Sequence, residues 1–260
     1  MRKSKPVLEV IFSIAGGILL LFIVLPLIAT LLSTTWGDFL RSFSDPELLQ
    51  SIALTFTAAA IATAFAMLTG VPLAYLLARH RFPGKRLLEA FINLPVVIPH
   101  TAAGIALLLV FGRRGLVGQW LSPLGIIFTD NLAGIVVAML FVSLPFLVNL
   151  SRDSFYLVDE ELERVAMTDG ASRWQAFFSV TLPLAWRGVL GGAVMMWARG
   201  ISEFGAVVIL AYHPKIVPVL VYERFTGYGL DAAQPVALLL ILVALVVFIT
   251  LRLVLLPAQE

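Results

Sequence analysis

Apolar residues run almost unbroken through six stretches of this 260-residue chain, roughly 8–34, 51–78, 93–112, 132–151, 178–210 and 233–256. Each is long enough to cross a hydrocarbon layer, which takes about 20 residues of helix. Backbone N–H and C=O groups find no water there, so a crossing segment must satisfy them internally, as a helix or in a closed barrel. The runs are continuous rather than alternating, which selects helices. With 60% of residues hydrophobic and only 13% charged, too little polar surface remains to dress a soluble domain of this length. The expectation is an all-α membrane protein of six transmembrane helices in one domain, 1–260, with no internal repeat and no linker.

Orientation follows from where lysine and arginine fall, because basic residues mark the cytoplasmic side of membrane chains. Arg2, Lys3, Lys5, Arg79, Arg81, Lys85, Arg86, Arg152, Arg164, Arg173, Arg187 and Arg252 share one side. Arg41, Arg113, Arg114, Lys215 and Arg224 share the other, and Arg199 lies inside a span. Twelve against five puts both termini and residues 163–174 in the cytoplasm of a multi-pass protein of the cell membrane. The first run follows three basic residues as a signal peptide would, but its length makes it a retained anchor. The fifth exceeds a straight span and is expected to include an interfacial piece. Prolines punctuate the runs at Pro95, Pro99 and Pro145, as helix starts, packing kinks or hinges. Only four residues follow Leu256 and Pro257 opens them, so no appended domain is expected.

The net charge of +2 reflects this sidedness and implies no nucleic acid. The chain has no cysteine, which excludes disulfides and thiolate metal sites. His100 and His213 lack a second ligand at useful spacing, and no histidine groups with a serine or aspartate as a hydrolase would require. No catalytic residue, metal or cofactor is expected. The sequence G-x-x-x-x-G-K-[ST], which cradles nucleotide phosphates, does not occur, so the chain does not hydrolyse ATP in that manner.

One polar island interrupts the apolar sequence: ERVAMTDGASRWQAFFSVTLP, residues 163–183, inside a loop of about 154–183. Asp159, Glu160, Glu161 and Glu163 cluster where a short helix would begin, and acids favour a helix N-terminus. Gly170 permits a tight turn between two short helices on the membrane surface. Ala171 and Ser172 are small enough for close approach by another protein, and Trp174, Phe177 and Phe178 supply apolar anchors. The alternative is a surface amphipathic helix with no partner.

This island resembles the EAA loop of ABC-importer permeases in Glu163, the small pair Val165-Ala166, Gly170, then Val180 and Leu182-Pro183. Val165 replaces one of the usual alanines. The resemblance implies the type I ABC-importer permease fold with a cytoplasmic coupling helix. It assigns Glu163, Ala166, Gly170, Ala171, Ser172, Trp174 and Pro183 to coupling with a separate ATP-binding cassette subunit.

A second constellation lies within the fifth span, Ala198-Arg199-Gly200-Ile201-Ser202-Glu203-Phe204-Gly205. Charges in a bilayer are costly, so function is the default reading for them. Arg199 and Glu203 are four apart on one helical face, where they can pair. Either Arg199 lines an anion path or a gate, with Ser202 beside it, or the pair fixes packing between helices or subunits. Pairing favours packing, because a paired arginine has less positive potential left for a passing anion. The pattern A-R-x-x-x-E-F-G is similar to the sulfate and molybdate/tungstate group of ABC permeases. The flanks ISEFGAVVILAYHPK, VLVYERF, GYGLDAAQPVALLL and LPVVIPHTAAGIALLLVFG resemble the archaeal-type molybdate/tungstate members.

That resemblance implies a homodimer, two ATPase subunits beneath it and an extracytoplasmic oxyanion-binding protein above. The expected function is the permease subunit of an ATP-driven importer of tungstate or molybdate. A sulfate/thiosulfate permease and an ion-coupled secondary transporter are the alternatives; the latter would need an unpaired carboxylate and leaves the coupling loop unexplained. Thr55, Thr57, Thr63, Ser143, Asn149 and Ser202 are small polar candidates for the path, each equally readable as bonded within the bundle. Tyr212, His213, Lys215, Glu223 and Arg224 are candidates to meet the binding protein.

Overall fold

The computed structural model describes residues 7–255, all of whose regular structure is helical. Arg2, Lys3, Lys5 and the tail from Leu256 lie outside the described residues, as does the side chain of Arg252. Helix α1 (Val7–Ser33) is apolar on every side and buries no residue in the chain. A short helix α2 (Trp36–Ser42) leads to α3 (Pro46–Arg79), which starts sharply because Asp45 accepts from the N–H groups of Glu47 and Leu48 and Pro46 needs no donor.

Next come α4 (Lys85–Val97) and α5 (His100–Phe111), followed by the short α6 (Gly118–Leu121). Helix α7 (Leu132–Leu157) begins under the cap of Asn131, whose Oδ1 accepts from Gly134 N at 3.0 Å. The polar island forms α8 (Glu160–Thr168) and α9 (Arg173–Ala176); a π-turn, Phe177–Thr181, then joins α9 to α10 (Leu182–Ile201). Helices α11 (Gly205–Leu210), α12 (Val217–Tyr228) and α13 (Leu230–Leu255) complete the chain.

The core lies where α3, α7 and α10 pack together. Alanines 58, 59, 62, 66 and 74 of α3 are buried there against Met139, Val142, Leu147, Val189 and Met196. Small residues let helices approach closely where lipid offers no hydrophobic drive to bring them together.

Five helical segments are long and apolar enough to cross a membrane, or six if one bent pair is counted as a span. The bent pair corrects the reading of 93–112 as one run: the helix axis turns by 115° between α4 and α5. Pro99 has no N–H to continue the helix and forces Ile98 into an extended conformation, φ −75° and ψ 147°. The reading of 178–210 as one run is corrected as well. The helix extends back to Arg173, so that Arg173–Ile201 is continuous, and it ends at Ser202. In the break, Glu203 turns its carboxylate onto the start of α11, accepting from Ala206 N at 2.9 Å.

After their breaks, α5 and α11 lie against each other at backbone distance. A methyl group at Gly205 would fall 2.7 Å from His100 Cβ, and one at Gly104 would fall 3.0 Å from Ala206 Cα. The two interruptions of the helical bundle are thereby brought to one place.

Candidate functional site

Two clusters of charged side chains meet inside the chain. The first is built on α8. Asp159 caps this helix, accepting from Glu161 N at 2.9 Å, and Glu160 and Glu161 face solvent. Glu163 does the opposite. Its carboxylate is buried, accepting at Oε1 from Arg79 Nε at 2.8 Å and from Thr181 Oγ1 at 2.6 Å, and at Oε2 from the Tyr75 hydroxyl at 2.9 Å. Arg79 Nη2 is also 2.8 Å from Oε1 but outside hydrogen-bonding geometry, so that contact is Coulombic.

Burial on its own raises the Glu163 carboxyl, but the bonds from Thr181, Tyr75 and Arg79 and the arginine charge together hold it below the usual carboxylate range. Glu163 is thus a clamp within the chain, tying α8 to the end of α3 and to the π-turn. Tyr75 and Thr181 were not singled out from the sequence, and Arg79 only as a basic residue of the cytoplasmic side; the Tyr75 and Arg79 positions, four apart on one face of α3, were the available signal.

The other residues of the segment lie on its exposed side or at its turn. Gly170 holds φ +97°, a backbone state that L side chains rarely adopt, with open space where a Cβ would stand. Ala171 follows at partial exposure, and Ser172 starts α9 with a capping box: its hydroxyl accepts from Gln175 N while Gln175 Oε1 accepts from Ser172 N. Trp174 is 73% exposed and stacks on Phe178. Ala166 is half-buried, and Pro183 is exposed in the first turn of α10. A largely apolar cleft of about 400 Å³ opens between α3 and this segment, lined by Pro72, Leu76, Trp174 and Phe178.

The second cluster occupies the two helix breaks. Arg199 Nη2 donates to Glu203 Oε2 at 2.9 Å, and His100 Nδ1 lies 2.7 Å from the same oxygen. A carboxylate only accepts, so Nδ1 carries the proton. Arg199 Nη2 also lies 2.7 Å from Nδ1 and 3.0 Å from Nε2 of the ring. An atom that near both nitrogens in the ring plane would collide with the carbon between them, so the guanidinium lies over the imidazole face. Arg199 Nη1 donates to Ser202 Oγ at 3.2 Å. Glu203 is fully buried, whereas the Arg199 and His100 side chains keep 23% and 34% exposure. His100 has a partner that spacing alone does not show: it stands 103 residues from Glu203 in sequence and in contact with it in space.

Most of the small polar candidates are bonded within the bundle. Thr55 donates to Ser51 O and accepts from Val217 N at 2.9 Å, joining α3 to the start of α12. Thr63 and Ser143 bond back to their own helices, Asn149 donates to Asn93 Oδ1 at 2.6 Å, and Thr57 is exposed. Far from α8 along α3, Lys215 donates to Glu223 Oε1 at 2.7 Å and to Glu47 Oε1 at 3.0 Å. Tyr212 donates to Glu223 Oε2 at 2.8 Å, Arg224 pairs with Asp45, and His213 N contacts Asp130 Oδ1 at 3.4 Å. Hydrogen bonds from Lys215 and Tyr212 hold the Glu223 carboxyl below its usual range, while those to Glu223 and Glu47 raise the Lys215 ammonium.

Comparison with known proteins puts this geometry in a family. The molybdate/tungstate transport system permease protein of Thermococcus kodakarensis is 42% identical over 245 residues, spanning 93% of this chain and 94% of that one. The protein of the same name from Pyrococcus furiosus is 45% identical over 243 residues, spanning 93% and 92%. The sulfate transport system permease protein of Escherichia coli is 30% identical over 252 residues, spanning 93% and 91%. In fold, the chain is similar to a chain of a bacterial ABC transporter that imports alginate, with TM-score 0.78, 17% identity and 98% and 96% coverage. It is also similar to a chain of the MetNI methionine ABC transporter in an inward-facing conformation, with TM-score 0.66, 18% identity and 82% and 96% coverage. Residues 70–257 match the family described as binding-protein-dependent transport system inner membrane component, and the chain is a member of that family.

Proposed function

We propose that this chain is the permease subunit of an ATP-driven importer of molybdate- or tungstate-type oxyanions. The observation that carries the reading is the identity of 42% and 45% to molybdate/tungstate permeases over nearly the whole of both chains, against 30% to a sulfate permease. As the membrane component of its family, the chain supplies the path, and a separate subunit supplies the energy.

Two copies enclose the path, with the α4–α5 pair counted as one of six spans and both termini in the cytoplasm. Arg79, Arg164 and Arg173 line one cleft at α8, which supports that side as cytoplasmic. Helices α8 and α9 form the coupling element. ATP binding draws two ATPase subunits together beneath it and moves α8. The Glu163 clamp passes the motion to α3 and to the π-turn before α10, and the path opens to the outer side. There an extracytoplasmic binding protein delivers the oxyanion; hydrolysis resets the cycle. Of the sequence-derived coupling residues, Gly170, Ser172 and Trp174 present the contact surface, and Glu163 holds that surface to the spans.

The test is ATP-driven uptake in proteoliposomes carrying this chain, its ATPase subunit and its binding protein. Uptake of tungstate or molybdate that excess sulfate does not displace is expected. Sulfate uptake would replace the substrate and keep the architecture; absence of ATP-dependent oxyanion flux would overturn the reading.

A further inference from the structure

A chain that must release a doubly charged anion has a difficulty at any arginine in its path: the charge that attracts the anion also holds it. Arg199 is placed and partnered so as to avoid this. It stands at the end of α10, beside the break, with its side chain partly exposed, and His100 is partly exposed next to it. Lipid is an expensive neighbour for an exposed guanidinium, so this face borders a polar space. In a bundle that conducts anions, that space is the path.

The guanidinium has five N–H groups. One on Nη1 goes to Ser202 and one on Nη2 goes to Glu203. The other hydrogen on Nη2 points at the imidazole ring. Nε–H and the second hydrogen of Nη1 therefore remain without an acceptor among the described residues. Glu203, buried beneath, cancels the charge without using up these donors. Its other oxygen is committed to Ala206 N, which fixes the carboxylate in place.

We propose that Arg199 is a charge-neutralised oxyanion contact on the transport path, kept as a donor by its geometry and prevented from trapping a dianion by Glu203. His100 is a positioning residue: packed against Nη2 and bonded to the same carboxylate oxygen, it turns the remaining Nε and Nη1 donors toward the path. The ligand class is a tetrahedral dianion such as tungstate, and the inference rests on the proposed function above. Pairing, which argues against an anion site where tight binding is wanted, is what a site for passage requires.

The test compares wild type, Glu203→Gln and Arg199→Lys in two measurements. One is equilibrium binding of radiolabelled tungstate to the permease–ATPase complex purified without binding protein; the other is ATP-driven tungstate uptake in proteoliposomes with it. Wild-type uptake is read first, and its absence overturns the proposed function and this inference with it. Given that uptake, Glu203→Gln keeps the shape and the acceptor for Ala206 but frees the arginine charge. It is expected to bind tungstate about tenfold tighter or more and to turn over more slowly. Arg199→Lys keeps the charge balance but loses the Nε and Nη1 donors, and its uptake is expected to fall about tenfold with assembly intact. If Glu203→Gln does not assemble by gel filtration, Arg199→Lys decides the question. Binding by Glu203→Gln no tighter than wild type, or unchanged uptake by Arg199→Lys, overturns the inference and leaves the three residues as packing.

Discussion

Arg79 closes on Glu163 with both Nε and Nη2 at 2.8 Å from one carboxylate oxygen, joining the last residue of a 34-residue helix to the first turn of a nine-residue one. Both side chains are almost fully enclosed, at 6% and 12% exposure. Removing one partner strands the other, which costs roughly 3–5 kcal/mol for buried pairs. Glu163→Ala is therefore expected to lower the melting temperature of the detergent-purified chain sharply. Glu163→Gln, which retains acceptors for Tyr75 and Thr181, should do so less.

The same contact sets an acid limb of stability. The Glu163 carboxyl is held below its ordinary value of 4.5, so the folded state favours its charged form. That stabilisation is fully present above the unfolded value and is lost as pH falls through the lower folded one. Thermal melts of wild type should decline below about pH 4.5, and Glu163→Gln should show a flatter decline over the same window.

Gly170 is open around its absent Cβ, so a side chain there meets no obstacle and the whole penalty is conformational. A β-branched residue forced to φ +97° costs about 1–2 kcal/mol or more, while asparagine tolerates positive φ better. Gly170→Val should abolish ATP-driven uptake and uncouple ATPase activity with membrane insertion intact. Gly170→Asn should retain part of the uptake. Equal uptake by the two variants would contradict a role for this turn.

Gly205 and Gly104 differ from Gly227 in what a methyl group would meet. At the first two it would press on His100 Cβ at 2.7 Å and Ile209 Cβ at 2.8 Å; at Gly227 it would meet nothing within 4 Å. Gly205→Ala and Gly104→Ala should each destabilise by about 1–3 kcal/mol through overpacking. Gly227→Ala, inside α12, should be neutral or stabilising by up to about 1 kcal/mol. Differential scanning fluorimetry of the three variants checks the ranking.

Lys215 bridges Glu47 and Glu223 at an exposed end of the bundle, where the two carboxylates are 51% and 36% accessible. Such pairs contribute about 0–1 kcal/mol. Lys215→Gln should shift the melting temperature slightly at low ionic strength, and the difference should vanish at about 1 M salt.

What the sequence disclosed about the fold is what lipid enforces. Long apolar runs have to be helices; the runs at α1 and α13 match their helices within three residues, while α3 starts five residues before its run and α7 ends six after. Where a run was interrupted by backbone chemistry rather than by polarity, the reading went too straight. Ile98-Pro99 interrupts an apolar stretch without a single charge, and hydropathy does not register the bend.

The sites divided the same way. Arg199 and Glu203 are neighbours on a helical face and were readable as a pair; His100 reaches them only because α5 and α11 fold together after their breaks. A histidine directly after a helix-starting proline in apolar surroundings was the clue, since a polar ring there needs a partner. Glu163 was read among Asp159, Glu160 and Glu161 as one acidic cluster, yet it alone turns inward, because the positions that receive it, Tyr75, Arg79 and Thr181, are set by tertiary packing.

The π-turn has a mechanical consequence. Because Phe177–Thr181 joins α9 to α10 without a gap, Trp174 and Arg199 are two points on one rod of about 40 Å, at 1.5 Å per residue. A hydrogen-bonded rod neither stretches nor compresses appreciably, so displacement at the tryptophan end arrives at the arginine as tilt, rotation or sliding of the whole. Thr181, where Glu163 grips the rod, lies near one end of it. On the proposed coupling, a small tilt imposed there becomes a larger displacement 18 residues further along, where the guanidinium stands.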